Sequence, residues 1–369
     1  MHQKKQSVGI LGATGMVGQR FIQLLEHHPW FEITWLAASD RSSGKLYGDA
    51  VNWKLSTPLP ANIARMPVSP ATPEGAPRII FAALDTNIAL DMEPRFAAAG
   101  CAVITNSSAF RMAPDVPLVI PEVNAAQLSL IDQQSWHRDS GGYIVTNPNC
   151  CAVGLVIALK PLADAFGLES IFVATMQAIS GAGYPGVASM DILGNVVPFI
   201  KNEEEKLEAE TLKLLGTTVS GVVQPLNAKI TAHCNRVPVE NGHTECVSVK
   251  FRRKASREEI LSAWQHFHPL RDQALPSAPP QPIEFAPEEN RPQPRLDVDR
   301  GHGMTTTIGR LRPCSLLDWK FTLLSHNTVR GAAGAALLNA ELLAAQGKLV
   351  PSKLVPLQPE STASVTQSR

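Results

Sequence analysis

The first part of the chain alternates short apolar runs with amphipathic segments. An apolar run at 7–11 predicts a strand, a glycine-spaced turn follows at 12–18, and RFIQLLEHH predicts a helix that ends before Pro29. The next apolar run, FEITWLAAS, predicts a second strand at a distance that suits one β-α-β unit. Further strands are predicted at 78–83, 102–106, 118–120 and 143–146. This alternation is typical of a doubly wound parallel sheet.

A second pattern begins after Cys150. The segment CAVGLVIALKPLADAF predicts a helix, and the β-branched, apolar SIFVATMQAIS predicts a strand after it. More strands are predicted at 247–252, 305–311 and 319–324, whereas the proline-rich stretch 269–294 is expected to be an extended loop. The fold expected here is an α+β domain with a mixed sheet.

The length of the chain favours two domains. A chain of 369 residues exceeds the size at which one hydrophobic core usually keeps growing. The segment TVRGAAGAALLNAELLAAQ predicts a late helix that folds back onto the first domain. We therefore expect a nucleotide-binding domain from 1–149 and about 327–350, a catalytic and dimerisation domain at 150–326, and a loose tail at 351–369, which is rich in Ser, Thr and Pro.

The charge balance excludes some classes of partner. Lys plus Arg and Asp plus Glu number 33 each, so the net charge is zero and nothing indicates binding to nucleic acid or to an anionic membrane. No apolar run approaches the roughly 20 residues of a spanning helix. The N-terminal MHQKK runs directly into SVGIL without the pattern of a secretory signal. A cytoplasmic location is expected.

The six cysteines have neither the density of a disulfide scaffold nor a C-x-x-C zinc spacing, so no metal is expected. Cys150 and Cys151 are adjacent, and a disulfide between neighbours would be strained. Free thiols in a reducing compartment are the simpler interpretation. At least one of the two is therefore a candidate nucleophile.

The turn GATGMVG at 12–18 predicts a dinucleotide site. Its spacing is G-x-x-G-x-x-G, directly after a strand and at the start of a helix. Glycines allow a tight turn and a close backbone approach, while N–H groups at the helix N-terminus face a pyrophosphate, as in a Rossmann-type domain. The alternative is a plain strand-to-helix turn. The contacts expected with the cofactor come from Gly12, Thr14, Gly15, Met16 and Val17.

The loop after the second strand bears on which dinucleotide binds. Asp40 stands where an NAD site usually carries an acidic residue for the ribose hydroxyls. The neighbouring donors suit a 2′-phosphate, so NADP is favoured over NAD. These donors are Ser39, Arg41, Ser42 and Lys45, although a solvated polar loop is the alternative for any one of them.

The segment Asn147-Pro148-Asn149-Cys150 lies where a strand ends and a helix begins. A thiol at a helix N-terminus has its thiolate stabilised by the helix dipole, which lowers the thiol pKa. A cysteine is more often a buried structural residue. The position of Cys150 reverses that preference.

These motifs together resemble the aspartate-semialdehyde dehydrogenase family, in its archaeal and fungal branch. The resemblance extends from Val8 to Glu341. Any one motif is weak, but the ordered set is specific. The set comprises GATGMVGQRF at 12–21, SDRSSGK at 39–45, SSAFRM at 107–112, NPNC at 147–150, QAISGAGYPG at 177–186, EEEK at 203–206, RVPVENGH at 236–243 and NTVRGAAG at 327–334.

The resemblance implies a role for each matched residue. Cys150 is the nucleophile, Gln177 orients the acyl group, and His243 is the general acid and base. Arg236 binds the substrate α-carboxylate and Glu203 its ammonium, while Lys206 and Arg111 bind the phosphate. Cofactor contacts are further implied at Ser180, Gly181 and Asn327.

The implied reaction is the reversible, NADPH-dependent reduction of L-4-aspartyl phosphate to L-aspartate 4-semialdehyde and phosphate through a cysteine thioester. It belongs to the biosynthesis of lysine, threonine, methionine and isoleucine. A homodimer or homotetramer is expected. The family usually has Ser or Thr where this chain has Cys151, which leaves a second candidate thiol, and His326 stands where Asp is common.

Two alternatives remain. N-acetyl-γ-glutamyl-phosphate reductase also reduces an acyl phosphate through cysteine and histidine. Its substrate nitrogen is acetylated, however, so an anion such as Glu203 has no charge to bind there, and its N-P-G-C-Y motif is absent from this chain. The other alternative is a nicotinamide-binding regulator without catalysis, against which the combination of Cys150, Gln177, Arg236 and His243 argues.

Overall fold

The computed structural model describes residues 4–349 and contains two large sheets. The strands of these residues, in chain order, are β1 (Gln6–Leu11), β2 (Phe31–Ala37), β3 (Val68–Ser69), β4 (Ile79–Ala82), β5 (Ala102–Thr105), β6 (Tyr143–Thr146), β7 (Leu168–Gln177), β8 (Thr217–Val219), β9 (Val222–Gln224), β10 (Lys229–Arg236), β11 (His243–Phe251), β12 (Ile283–Ala286), β13 (Thr306–Pro313) and β14 (Trp319–Ser325).

The helices lie on the sheet faces and in the connections. In chain order they are α1 (Met16–Leu25), α2 (Tyr47–Ala50), α3 (Ala61–Ala64), α4 (Thr86–Ala98), α5 (Pro121–Asn124), α6 (Ser135–Ser140), α7 (Cys150–Phe166), α8 (Ser189–Ile192), α9 (Glu203–Leu214), α10 (Arg257–Gln265), α11 (Pro294–Asp297) and α12 (Gly334–Ala345). Three 3₁₀ segments span Ala125–Gln133, Ile179–Ala182 and Arg300–Gly303, and a π-helical turn spans Val329–Ala333.

The first sheet has the strand order β3-β2-β1-β4-β5-β6, and all of its pairs are parallel. The order reverses beside β1, which is the topological switch point at which doubly wound sheets bind their ligands. Strands β4, β5 and β6 are largely apolar and are buried along their whole length, because helices cover both faces of such a sheet. The predicted doubly wound fold is confirmed.

The second sheet has the order β10-β7-β11-β14-β13-β12. It is mixed, since β10 pairs with β7 and β12 with β13 in parallel while the inner pairs are antiparallel. Helix α7 packs on this sheet with an almost wholly buried surface. The expected mixed sheet is therefore present.

The last helix returns to the first sheet, as predicted. Leu337, Leu338 and Leu342 of α12 belong to the same buried core as Val8 and Ile10 of β1. Between β14 and α12 the chain makes the π-helical turn, which brings it back past the start of α7. The chain therefore passes twice between the part built on the first sheet and the part built on the second, at 147–150 and at 326–331.

Two predictions about elements were wrong. No strand forms at 118–120, where Leu118 makes a single bridge to Thr146, because Pro117 and Pro121 flank the run and lack backbone donors. The stretch 269–294 is not all extended loop, since it contains β12, which pairs with β13. The predicted tail at 351–369 lies outside the described residues. No helix within 4–349 has the length and apolarity needed to cross a membrane.

Candidate active site

Cys150 is the first residue of α7 and follows the end of β6 after the three residues 147–149. The side chain of Asn149 caps this helix, since its Oδ1 accepts from the N–H groups of Cys151 at 2.8 Å and Ala152 at 3.2 Å. The cap leaves the N–H of Cys150 and the positive end of the helix dipole at the sulfur, where they stabilise a thiolate. The sequence prediction for this helix start is confirmed.

His243 lies beside this sulfur. Its Nε2 is 3.1 Å from Sγ of Cys150, and the ring is fully buried. The backbone N–H of Ala178 donates to Nδ1 at 3.0 Å. Because Nδ1 accepts that hydrogen, the hydrogen of the neutral ring sits on Nε2 and points at the sulfur. The structure thus brings together the predicted nucleophile and the predicted acid and base.

The surroundings hold the pKa of the Cys150 thiol well below its usual value. The largest cause is a hydrogen bond from the Cys151 thiol, followed by the charge and hydrogen bond of His243 and the charge of Arg111, against an opposing effect of burial. Burial and the neighbouring Cys150 raise the pKa of Cys151 well above its usual value. Cys150, which is partly open to the cleft, is therefore the reactive thiol of the pair.

The loop after β7 covers His243 at very short range. A Cβ added to Gly181 would lie 2.9 Å from Nη1 of Arg236, 3.0 Å from Cε1 of His243 and 3.1 Å from its Nε2. A side chain at position 181 therefore has to displace the imidazole, the guanidinium or the loop. Gly181, which the sequence assigned to the cofactor, also determines whether these two catalytic groups fit.

We expect Gly181→Ala to lower kcat/KM by about 10²-fold, since a shift of about 1 Å in a catalytic group costs this much. Ala182, the next residue of the same loop, is exposed and already carries a Cβ. Ala182→Ser is therefore the matched control and should keep most of the activity. Steady-state kinetics of both variants test this, and equal losses would argue against crowding at Gly181.

Arg236 and Gln177 are direct partners across the parallel pair β10 and β7. Nη1 of Arg236 donates to the carbonyl of Ala178 at 2.7 Å, and the side chain lines the cleft with only 6% of its surface exposed. The Gln177 amide donates to Oγ1 of Thr175 at 3.3 Å and lines the same cleft. Both predicted residues therefore stand around the sulfur, on adjacent strands.

Glu203 is the first residue of α9, and its side chain extends to the surroundings of Cys150. Its Oε1 accepts from Nδ2 of Asn149 at 2.9 Å, and it lines the cleft together with Lys206 one helical turn later. Burial, and then the charge of Cys150, raises the pKa of Glu203. The predicted ammonium-binding carboxylate thus also holds the residue that caps the nucleophile helix.

Glu210 is a site residue that the sequence analysis missed. Its Oε1 accepts from Nη1 of Arg111 at 3.0 Å, while its Oε2 accepts from the backbone N–H of Asn149 at 2.6 Å. Arg111 also donates to the carbonyl of Asn106 at 2.7 Å. Glu210 therefore fixes the predicted phosphate-binding Arg111 relative to the nucleophile. It lies seven residues after Glu203, on the same face of α9, and that spacing is the signal that could have pointed to it.

One cleft of about 1200 Å³ is lined by Cys150, Gln177, Arg236, Glu203, Lys206 and Arg111, whereas His243 and Glu210 are buried beside it. The cleft extends from Cys150 across the carboxyl ends of the first sheet, and its other end is formed by Gly12, Thr14, Gly15, Met16 and Val17. Ser39 and Arg41 line this far end, together with Asp40. Ser42 and Lys45, two further predicted donors, do not belong to the cleft wall, and lie in the turns that follow it.

The residues of this far end fit a dinucleotide. Gly12 has a φ of +88°, and a Cβ there would lie 2.5 Å from the carbonyl oxygen of Ala83, so only glycine allows the chain to turn here. Helix α1 begins at Met16 without a side-chain cap, and its N-terminus opens onto the cleft. Uncapped N–H groups at such a helix start suit a pyrophosphate.

Asn327 joins the two ends of the site. Its Oδ1 accepts from the N–H of Gly242 at 2.8 Å, and its Nδ2 donates to Oγ of Ser180 at 2.8 Å. Ser180, Gly181 and Asn327 all line the cleft between Cys150 and the glycine turn. Their predicted contact with a nicotinamide agrees with this location, and stays a prediction.

A second cavity, of about 450 Å³, lies under the proline-rich stretch 278–282. Its lining includes Glu122, which pairs with the buried Arg330 at 2.8 Å. No cysteine lines it. The larger cleft is the candidate active site because it holds both the nucleophile and the glycine turn.

Comparison with known proteins agrees with this geometry. Residues 7–131 match the family model described as semialdehyde dehydrogenase, NAD binding domain, and residues 159–330 match semialdehyde dehydrogenase, dimerisation domain. The chain is 52% identical to an aspartate-semialdehyde dehydrogenase of Archaeoglobus fulgidus over 92% of this chain and 98% of the relative. It is 44% identical to one of Candida albicans over 92% of this chain and 98% of the relative.

A solved structure extends this similarity to the fold. The crystal structure of aspartate semialdehyde dehydrogenase with NADP from Candida albicans superposes with a TM-score of 0.86 at 43% sequence identity. The match covers 93% of this chain and 99% of that chain. Both sheets therefore have counterparts in a protein that binds NADP.

Proposed function

Since the chain belongs to the aspartate-semialdehyde dehydrogenase family, we propose that the cleft around Cys150 carries out the reaction of that family with the residues described above. The enzyme interconverts L-4-aspartyl phosphate and L-aspartate 4-semialdehyde plus phosphate, with NADP as cofactor, in amino-acid biosynthesis. The observation that carries the assignment of roles is the 3.1 Å approach of Nε2 of His243 to Sγ of Cys150 at the start of α7.

The first step is attack by the Cys150 thiolate on the acyl carbon of aspartyl phosphate. A sulfur–carbon bond forms, the bond from the acyl carbon to the phosphate oxygen breaks, and phosphate leaves with the electron pair. Lys206 and Arg111 line the cleft and supply the positive charge that a leaving phosphate needs. Glu210 holds Arg111 in place for this task.

Arg236 and Glu203 orient the amino-acid part of the substrate. The planar guanidinium of Arg236 matches the α-carboxylate, with Nη1 held by the carbonyl of Ala178. The Glu203 carboxylate binds the ammonium group, whose positive charge also favours the ionised carboxyl. Gln177, between them on β7, positions the acyl oxygen.

His243 holds a proton at Nε2 beside the reacting carbon. This proton stabilises the thiolate before attack and the carbonyl oxygen as negative charge develops on it. When bound, NADPH supplies the hydride that reduces the thioester. The carbon–sulfur bond then breaks, sulfur leaves as the thiolate under the same Nε2–H, and the aldehyde is released. Covalent attachment thus divides one difficult reaction into two easier ones.

Phosphate-dependent reduction of NADP by aspartate semialdehyde tests this function. We expect turnover with NADP, a requirement for phosphate, and a lower kcat/KM with NAD, because Arg41 at the far end of the cleft can bind a 2′-phosphate. N-acetylglutamate semialdehyde, assayed in the same way, should be at least about 10²-fold poorer because its nitrogen carries no charge for Glu203. Equal turnover of the two aldehydes would contradict the role given to Glu203.

We also propose that the chain forms a homodimer, or a homotetramer built from dimers, through the region at 159–330. Large apolar side chains are exposed along 184–199 in that region, among them Met190 at 89%, Leu193 at 70% and Phe199 at 69%. Exposed apolar side chains in such a group are typical of an interface.

The double variant Phe199→Asp with Leu193→Asp should shift the protein to monomers in sedimentation velocity. Leu316→Asp, at an exposed leucine outside the group, should not. A monomeric wild type would overturn the proposal.

We propose a cytoplasmic location as well. The cysteines of the described residues are all free. Free thiols are usual in proteins of a reducing compartment.

A further inference from the structure

The second thiol forms a compact cluster with the catalytic pair. The sulfurs of Cys150 and Cys151 and a ring nitrogen of His243 all lie within 4.8 Å of one another. Cys151 and His243 are fully buried, whereas Cys150 is partly open to the cleft. We propose that these three side chains form a binding site for a thiophilic divalent cation such as Zn²⁺, which inhibits the enzyme by occupying its nucleophile.

The ligand set suits this class of ion. Two thiolates and one imidazole are ligands that Zn²⁺ prefers, and a site with two cysteines, one histidine and an open fourth position is a known type. Zinc bonds are about 2.3 Å to sulfur and 2.0–2.1 Å to nitrogen, so tetrahedral ligand atoms lie roughly 3.5–3.8 Å apart. In the structure the three atoms lie within 4.8 Å of one another, close to this spacing, and Cys150 is partly open to the cleft, from which water can supply a fourth ligand.

The electrostatics around the cluster favour a cation. Glu203 stands beside Cys150, and Glu245, which is fully buried, stands against the thiol of Cys151. Burial, and then the charge of Cys150, raises the pKa of both carboxyl groups. A divalent ion at the sulfurs opposes the effect of the Cys150 charge and favours the ionised form of both carboxyl groups. Two positively charged groups, His243 and Arg111, also act on Cys150.

Binding of the metal ion releases protons from its ligands. Cys150 binds as the thiolate, and Cys151 has to release its thiol proton to water before its sulfur can bind the metal. The Nε2 proton of His243 also leaves if that nitrogen binds, since a metal ligand must be unprotonated. Affinity therefore rises with pH. Inhibition should be reversed by a chelator and weakened by the acyl substrate, which competes for Cys150.

The experiment titrates Zn²⁺ and Co²⁺ into reduced protein from which the added thiol reagent has been removed. It compares the wild type with Cys151→Ser. Co²⁺ enters the same sites as Zn²⁺ and reports thiolate ligands by charge-transfer absorption. We expect the wild type to bind one ion per chain with that absorption, and Cys151→Ser to bind at least about tenfold more weakly. Cys246→Ser is the matched control, since Cys246 is exposed on the strand that carries His243 and should leave binding unchanged.

X-ray absorption of the zinc-loaded wild type gives an answer that needs no variant. The expected first shell contains two sulfurs and at least one nitrogen. A shell with one sulfur, an absence of thiolate absorption, or equal affinity in Cys151→Ser each overturns the proposal. Because these readouts measure the metal and not turnover, they are independent of the reaction proposed above.

Discussion

Cys150→Ser should lower the rate of NADP reduction by aspartate semialdehyde and phosphate by about 10⁴-fold or more. The serine hydroxyl stays unionised in the surroundings that stabilise the Cys150 thiolate, because its own pKa is far higher, so the attacking group is lost. The helix start and the Asn149 cap involve backbone groups and another side chain, and they should remain intact. The effect is therefore one on kcat rather than on folding.

Steady-state kinetics and one-to-one labelling with iodoacetamide check this expectation. The wild type should be labelled at Cys150 and lose activity in parallel, whereas Cys150→Ser should resist labelling at this site. Cys246→Ser, which removes an exposed thiol of the same strand as His243, is the control and should keep the activity of the wild type. Activity of Cys150→Ser above a tenth of the wild type would indicate that Cys151 is the nucleophile or that the assignment is wrong.

His243→Asn should lower kcat/KM by about 10²–10⁴-fold, the usual contribution of a positioned acid or base. The asparagine Oδ1 can occupy the place of Nδ1 and still accept from the N–H of Ala178, so the loop after β7 keeps its contact. What disappears is Nε2–H, the donor at Sγ of Cys150. His243→Gln, which extends toward the sulfur but cannot titrate, separates a loss of proton transfer from a loss of contact.

The pH dependence of Cys150 alkylation gives a second measurement. His243 is one of the groups that lower the pKa of the Cys150 thiol, so its removal raises that pKa. Only the thiolate is alkylated, and the labelling rate therefore rises through the thiol pKa. In the wild type the rise should lie well below pH 8.5, the pKa of a free cysteine, and in His243→Asn it should move to higher pH. An unchanged midpoint would show that His243 does not stabilise the thiolate.

The parts of the site predicted well from the sequence are those determined by neighbours along the chain. The glycine turn at 12–18 and the helix start at Cys150 each depend on a strand, a few turn residues and a helix in sequence order. Tight turns and helix caps have local signals, because the groups they satisfy lie within a few residues. Both were predicted within a few residues of their observed positions.

The parts that the sequence analysis missed depend on distant partners. Strand β10, which carries Arg236, is an edge strand with exposed residues at 229, 231 and 233 and a mainly polar sequence, so its apolar signal is weak. Strand β12 exists because it pairs with β13 across about 20 residues. Glu210 meets Arg111 and Asn149 from 99 and 61 positions away, a relation that no local pattern contains.

The family resemblance supplied the roles of Arg236, Glu203 and Lys206, which their local patterns alone could not distinguish from ordinary surface charges. The structure adds the reason that they lie together: β10 pairs with β7, and α9 packs on α7 and β10. It also shows that Glu203 and Glu210, one face of a single helix, both hold Asn149. Both carboxylates can reach Asn149 because α9 packs on α7, the helix that Asn149 caps.

The π-helical turn at Val329–Ala333 passes so close to the nucleophile that a Cβ on Gly331 would lie 2.8 Å from Cβ of Cys150. Both passages of the chain between the two sheets therefore run beside the sulfur. A side chain at position 331 would push against the first residue of α7, so glycine at this position keeps the returning chain and the nucleophile in place together.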